Sequence, residues 1–233
     1  MCGRVYSTFS NQDLLDEVLK KHSWKWPVDE SIPTREISYN QCPSQSVLVL
    51  AVREGKLKFS AMRWGLVPVW AKSVKDAAQY SLINARAEEI AEKRSYKAAF
   101  QKRRCVVPVS GFFEWKSVND QKTPFAISRI DESPLRLAGV WEHWVSPVTG
   151  EVVDSFSLIT TAANDLMKPI HHRMPVILDS SCEEEWLDPE NSNLESLQKL
   201  LKPSLSSELK ASPISRLVNS PKNNSPEVLE PVG

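Results

Sequence analysis

The sequence predicts an α+β fold on a largely antiparallel, curved sheet. Many short apolar runs read as strands, and only a few helical stretches are inserted among them. There is no internal repeat and no long linker before residue 202, so a single domain over residues 2–201 is expected. The first helix is expected over 10–22. Ser10 with Asp13 forms a plausible cap, and Leu14, Leu15, Val18 and Leu19 make one apolar stripe. Residues 46–53 and 56–62 read as strands joined by a turn at Glu54-Gly55. The segment 86–102 is rich in Ala, Glu, Lys and Arg and reads as a helix. Apolar runs at 104–109, 111–115, 123–130, 135–144 and 153–161 read as strands. A last strand is expected at 175–178, then helices near 181–187 and 193–201. From Lys202 onward Ser, Pro and Asn dominate, and the segment is expected to be a tail with little core of its own. Ile214, Leu217 and Val218 are expected to dock one short piece of it, near 214–219.

The 233 residues suffice for a sizeable core, and 41% hydrophobic with 25% charged residues is ordinary globular composition. Lys+Arg and Asp+Glu both number 29, so net charge gives no argument for a nucleic-acid partner. Such a partner needs a local patch, and residues 93–104 hold six basic residues and no acidic one. A solvated helix face is the competing reading. No apolar stretch approaches the ~20 residues of a membrane span, and the N-terminus lacks an apolar signal core. An intracellular protein is expected, with Cys2, Cys42, Cys105 and Cys182 as free thiols.

Cys2 is the unusual residue. Initiator Met is removed when the next side chain is small, which would leave Cys2 with an α-amine and a thiol on adjacent carbons. An α-amine titrates near about 7.7–8.0, so much of it is neutral near neutrality and attacks aldehydes. By position alone, an incidental cysteine at a frayed end is the stronger reading. Asn84 and Arg86 stand in Asn84-Ala85-Arg86-Ala87-Glu88. Arg86 suits a phosphate, although spacing alone favours a helix cap at Asn84 and a solvated helix after it. Glu114 lies alone in an aromatic, strand-like run. It is either a buried carboxyl with a raised pKa, useful as a general base, or an outward-facing strand residue. His171 and His172 suit acid–base work; adjacent histidines face different ways, so a zinc site is disfavoured. Arg173 suits a phosphate. Trp64 and Trp70 are candidates for base stacking, with core packing the commoner role, above all for Trp64.

Together these segments resemble the SRAP family, the SOS-response-associated peptidases. The matching pieces are Met-Cys-Gly-Arg at the start, Trp64-Gly65-Leu66-Val67-Pro68 with Trp70, and Asn84-Ala85-Arg86-x-Glu88. They continue with Gly111-Phe112-Phe113-Glu114-Trp115-Lys116, Ile170-His171-x-Arg173-Met174-Pro175 and Ser215-Arg216-x-Val218-Asn219. The six motifs run in family order from residue 2 to about 230. The resemblance implies a β-barrel-like core, flanking helices and a basic groove for single-stranded DNA. It implies self-catalysed loss of Met1, then a thiazolidine crosslink from Cys2 to the ring-opened sugar of an abasic site. Asn84 would lie beside the cysteine, Glu114 would assist the amine, and His171 would act on ring opening and the imine steps. DNA contacts are implied at Arg4, Pro43, Trp70, Arg86, Trp115 and Arg173, with Pro43 and Trp70 stacking or wedging near the lesion. No metal, cofactor or membrane partner is expected; the chain is expected to be a monomer in the nucleus, with the cytoplasm as the alternative.

There are departures from the pattern. Cys42 stands before Pro43 where a small residue such as Ala is expected, and brings a second thiol toward the site. His172 stands where Asp or a variable residue is expected. Two rival classes are a cysteine hydrolase, with Cys2 or Cys105 as thiolate and His171 as base, and a non-covalent single-stranded DNA-binding module.

Overall fold

The computed structural model describes residues 2–20, 24–119 and 121–232. Its strands are β1 (Val5–Ser7), β2 (Val28–Asp29), β3 (Ser38–Gln41), β4 (Ser46–Arg53), β5 (Lys56–Trp64), β6 (Asn84–Arg86), β7 (Arg104–Val109), β8 (Gly111–Val118), β9 (Gln121–Arg129), β10 (Leu135–Val145), β11 (Val152–Ala162), β12 (Arg173–Pro175) and β13 (Leu209–Pro213). Its helices are α1 (Asn11–Leu19), α2 (Val74–Ala78), α3 (Lys97–Lys102), α4 (Glu183–Leu187) and α5 (Leu194–Leu200).

The β4–β5 hairpin turns on Glu54 and Gly55, both at positive φ (53° and 72°), the geometry of a two-residue hairpin turn. β4 also pairs with β7, β7 with β10, and β10 with β11, all antiparallel. β11 then meets β5 in parallel, Ser155 opposite Arg63 and Phe156 opposite Trp64. Those five strands form a closed ring, which leaves no free edge among them. Alternation divides each strand between two cores. Val47, Val49 and Ala51 of β4 join Cys105, Leu137 and Phe156 in one cluster; Leu48 and Leu50 join Val106, Val140 and the helices in the other. Strands buried on both faces read as unbroken apolar runs. Gly139 lies where three strands crowd: a Cβ there would stand 2.9 Å from the Cys105 Sγ and 3.0 Å from the Ser157 carbonyl.

A second sheet, in the order β13-β9-β8-β1-β3, carries the N-terminus. β1 pairs with β8, Val5 opposite Phe112, and the Phe113 N–H donates to the Arg4 carbonyl at 3.0 Å. Residues 2–4 therefore run alongside Phe113, Glu114 and Trp115.

The helix at 10–22 is seen as α1, with the full Ser10–Asp13 capping box; its expected end at His22 lies outside the described residues. Three expectations need correction. The helix over 86–102 is only α3. The backbone before it is drawn onto β11 instead, Asn84 opposite Leu158 and Arg86 opposite Thr160, and the Ala87 N–H donates to the Thr160 carbonyl at 2.8 Å. Asn84 is thus a strand residue, not a helix cap. The segment from 202 is no loose tail either. β13 pairs with β9 from Leu209 opposite Arg129 to Pro213 opposite Phe125, and Ile214, Val218 and Val228 are buried against Phe113, while Leu217 is exposed. The strand expected at 175–178 is displaced to β12, after which Ile177 bridges to Leu137. Among the described residues, no helix is long and apolar enough to cross a membrane.

Candidate active site

Cys2 is fully buried, in the cluster that holds Val5, Trp64, Phe112, Met167 and Met174. Burial first, and the Glu114 carboxylate second, push its thiol above the ordinary thiol range. β6 delivers Asn84, whose Nδ2 donates to the Cys2 carbonyl at 2.7 Å. The Asn84 backbone carbonyl accepts from the Tyr96 hydroxyl at 3.0 Å, which fixes the strand at this point. Asn84 Oδ1 is buried without a donor among the described residues, an acceptor available to an amine or a sugar hydroxyl.

Glu114 is inward-facing and 3% exposed, so the outward reading of this strand residue does not hold. Burial raises its carboxyl above the usual carboxylate range. His171 Nδ1 lies 4.0 Å from Glu114 Oε1. The Arg173 amide N–H donates to His171 Nδ1 at 3.0 Å. The Arg173 carbonyl lies 3.1 Å from the same nitrogen, so Nδ1 faces both a donor and an acceptor of Arg173. Burial lowers the His171 pKa and favours the neutral ring. The His172 ring stacks on it at 4.3 Å and is exposed, and its pKa is lowered first because two neighbouring imidazoles resist both being charged. The site thus combines a buried thiol, a carboxyl held toward neutrality and a neutral imidazole. Among the described residues, no group of three or more His, Cys, Asp or Glu is arranged to hold a metal.

A family model described as "SOS response associated peptidase (SRAP)" matches residues 1–221. The chain belongs to the SRAP family. It is 39% identical over 233 residues to "Abasic site processing protein YoqW" of Bacillus subtilis, covering 99% of each chain. It is 32% identical over 262 residues to "Abasic site processing protein HMCES" of Xenopus tropicalis, covering 98% of this chain and 78% of that one. A crystal structure of a protein from Bacteroides thetaiotaomicron superposes with a TM-score of 0.82 at 28% identity, over 99% of this chain and 100% of that one.

The DNA contacts that the SRAP motifs imply fall into three groups. Arg4 and Trp115 form one unit with the C-terminal segment. Arg4 Nη1 donates to Asn40 Oδ1 (2.7 Å) and to the Val218 carbonyl (2.6 Å). The Arg4 guanidinium lies 6.0 Å from the Trp115 ring, and Trp115 Nε1 donates to Asn219 Oδ1 at 2.8 Å. Pro43, Trp70 and Arg86 are on or near the surface. Trp70 is half-buried, with Tyr80 edge-on at 5.3 Å and the Arg94 guanidinium at 5.4 Å; Arg86 is exposed and pairs with Glu89 at 3.2 Å. Arg173 differs. It is buried, forks onto Glu88 (2.6 and 2.9 Å) and donates to the Thr160 carbonyl, because pairing with β11 turns it inward. It orders the His171 loop and is not presented to a phosphate.

The basic stretch 93–104 also divides. Arg104 is buried and donates to the carbonyls of Trp186, Phe100, Gln101 and Asp188, and Arg103 pairs with Glu142 at 2.8 Å. Lys93, Arg94, Lys97 and Lys102 remain exposed. Asn40 carries no signal in the sequence. Its Nδ2 reaches the carbonyls of Val218, Ser220 and Asn223, so it ties Arg4 to the far end of the chain. No local motif marks such a residue.

The raised Glu114 carboxyl has a consequence for stability. The folded state holds this proton more tightly than the unfolded chain does. The resulting stabilisation is fully present below the unfolded pKa and is lost as pH rises through the folded one. Glu114→Gln is therefore expected to melt above the parent at about pH 8, with the gap closing toward about pH 4. Thermal melts at both pH values check this; a variant no more stable than the parent at the higher pH would contradict it.

Proposed function

We propose that this chain processes abasic sites in single-stranded DNA and does so by covalent capture through Cys2. The observation that carries the reading is the convergence of buried Cys2, Asn84 and Glu114 with half-buried His171 from four distant parts of the sequence. The relatives' shared name, abasic site processing protein, supports the substrate class.

The chemistry starts with hydrolysis of the Met1–Cys2 bond, which frees the Cys2 α-amine. The neutral amine attacks the C1′ aldehyde of the ring-opened sugar, and water leaves to give an imine. The thiol then adds across the C=N bond. Its proton passes to nitrogen and a five-membered thiazolidine closes. Glu114, as a carboxylate that burial makes a stronger base, takes the proton from the ammonium and, once protonated, returns it to the departing hydroxyl. His171 supplies a proton to the sugar ring oxygen as the C1′ hydroxyl gives up its own and the ring opens. Asn84 fixes the Cys2 carbonyl so that amine and thiol share one face. Arg4, Arg86 and the Arg94 guanidinium beside Trp70 supply cations for phosphates.

A thiolate-first hydrolase fits less well. Burial disfavours the thiolate at Cys2, and it does so again at Cys105, which lies inside the barrel core. The amine-first route needs no thiolate in the resting site.

The test is a denaturing gel of the Met-free protein incubated with single-stranded DNA carrying one abasic site. A covalent, heat-labile adduct is expected on the abasic strand and none on the intact strand. Failure to form it would defeat covalent capture. Glu114→Gln and His171→Ala are expected to slow adduct formation by about 10²–10⁴-fold, the range of a lost general acid or base.

A further inference from the structure

Beside the site is a pocket that the chemistry above does not use. It encloses about 140 Å³, and its apolar wall includes Trp64, Leu66, Ala77 and Leu82. Its rim includes Ser44, Ala78 and Ser81, all exposed. Ser44 directly follows Pro43, and the lining residue Ile83 directly precedes Asn84. Trp64 and Ile83 also pack in the cluster that buries Cys2. The pocket therefore sits between the expected wedge and the residue that holds Cys2.

Its polar groups are specific. The Leu66 N–H donates to the Leu82 carbonyl, the Gly65 N–H to the Phe156 carbonyl, and Trp64 Nε1 to the Ile83 carbonyl. The amides of the wall are thus occupied. Arg63 donates from Nη1 and Nη2 to Ser44, at 2.7 and 2.9 Å, but its Nε–H is buried without a partner among the described residues. A buried donor left unpaired is costly, so a shift of the Arg63 side chain that brings Nε–H to an acceptor in the pocket is favoured. Backbone strain collects here too: Ser81 has φ 49° and Gly65 φ 122°, a conformation that favours glycine.

An apolar cavity of about 150 Å³ takes a benzene ring. We propose that this pocket receives a pyrimidine base flanking the abasic site, that the Arg63 side chain shifts so that its Nε–H donates to the base carbonyl, and that a purine is too large to enter. This rests on the single-stranded DNA reading above but not on covalent capture.

The experiment measures non-covalent affinity by fluorescence anisotropy. The probes are single-stranded oligonucleotides with a central tetrahydrofuran, an abasic analogue that has no aldehyde. Each of the four bases is placed in turn at the 5′ and the 3′ neighbour. At one neighbour, C and T are expected to bind about tenfold more tightly than A and G, the scale of one satisfied buried hydrogen bond. In Ala78→Trp, which fills the mouth from an exposed helix position, that ratio is expected to fall to about one. In Arg63→Lys, which keeps the charge but loses the Nε–H, it is expected to fall several-fold. The ratio within each variant is insensitive to a general loss of affinity. Equal affinity for all four bases at both neighbours, a purine preference, or a pyrimidine preference undiminished by Ala78→Trp would overturn the proposal. A crosslinking failure on true abasic DNA alongside an intact pyrimidine preference would defeat covalent capture and leave the pocket standing.

Discussion

Cys2→Ala is expected to abolish the adduct that survives a denaturing gel, a loss of at least about 100-fold in rate, or about 3 kcal/mol of barrier. Alanine is small enough that Met1 is still removed, so the variant keeps a free α-amine. It can still form an imine, which hydrolyses on denaturation, but without sulfur the ring cannot close. Borohydride should therefore trap an adduct with Cys2→Ala, whereas none should appear without it. Cys2 is fully buried, so truncation also leaves a small void; a cost of about 1 kcal/mol is typical, well short of unfolding. A thermal melt close to the parent's separates lost chemistry from a lost fold. A stable adduct formed by Cys2→Ala without reductant would show that sulfur is dispensable, and would move the nucleophile to another amine.

The barrel was legible because its strands carry their own signals. The 46–64 hairpin joins a continuous apolar run, β4, to an alternating strand, β5, by a two-residue turn, and β7, β10 and β11 are long apolar runs of the kind a doubly buried strand carries. β6 was not legible. It is three residues long, and its partner on β11 is more than seventy residues away. Its helix-forming composition pointed the other way, and tertiary pairing overrode it. β13 was hidden for a related reason: Leu-Lys-Ala-Ser-Pro has little apolar content, and backbone bonds to β9 hold it in place. The site had the same division. Cys2, Asn84 and Glu114 each admitted a bland reading, His171 had no partner in its own segment, and only the ordered motifs joined the four. The inward turn of Arg173 was invisible, because whether an arginine serves a phosphate or a carboxylate depends on Glu88, 85 residues earlier.

Ending the chain at Leu201 is expected to abolish cooperative folding, although the composition after Lys202 reads as expendable. The removed segment buries Leu209, Ile214, Val218 and Val228, each nearly inaccessible to solvent. Burying a side chain of this kind contributes about 1.5–3 kcal/mol, so four contribute upward of about 6 kcal/mol, before allowing for a compact unfolded state. Net stability of a domain is about 5–15 kcal/mol, so the loss is of the same order as the whole. Truncation also strips β9 of its neighbour and exposes an unpaired edge, which favours aggregation. The damage reaches the site. Arg4 loses the Val218 carbonyl, Trp115 loses Asn219, and Asn40 loses all three of its carbonyl partners. Calorimetry should show no sharp transition for the truncated chain. The milder Ile214→Ala should keep the transition but destabilise it by about 2–5 kcal/mol. A truncated chain that melts like the full-length protein would mean that β13 and the residues after it only decorate the fold. Arg4 would then keep its place without the Val218 carbonyl, held by Asn40 alone.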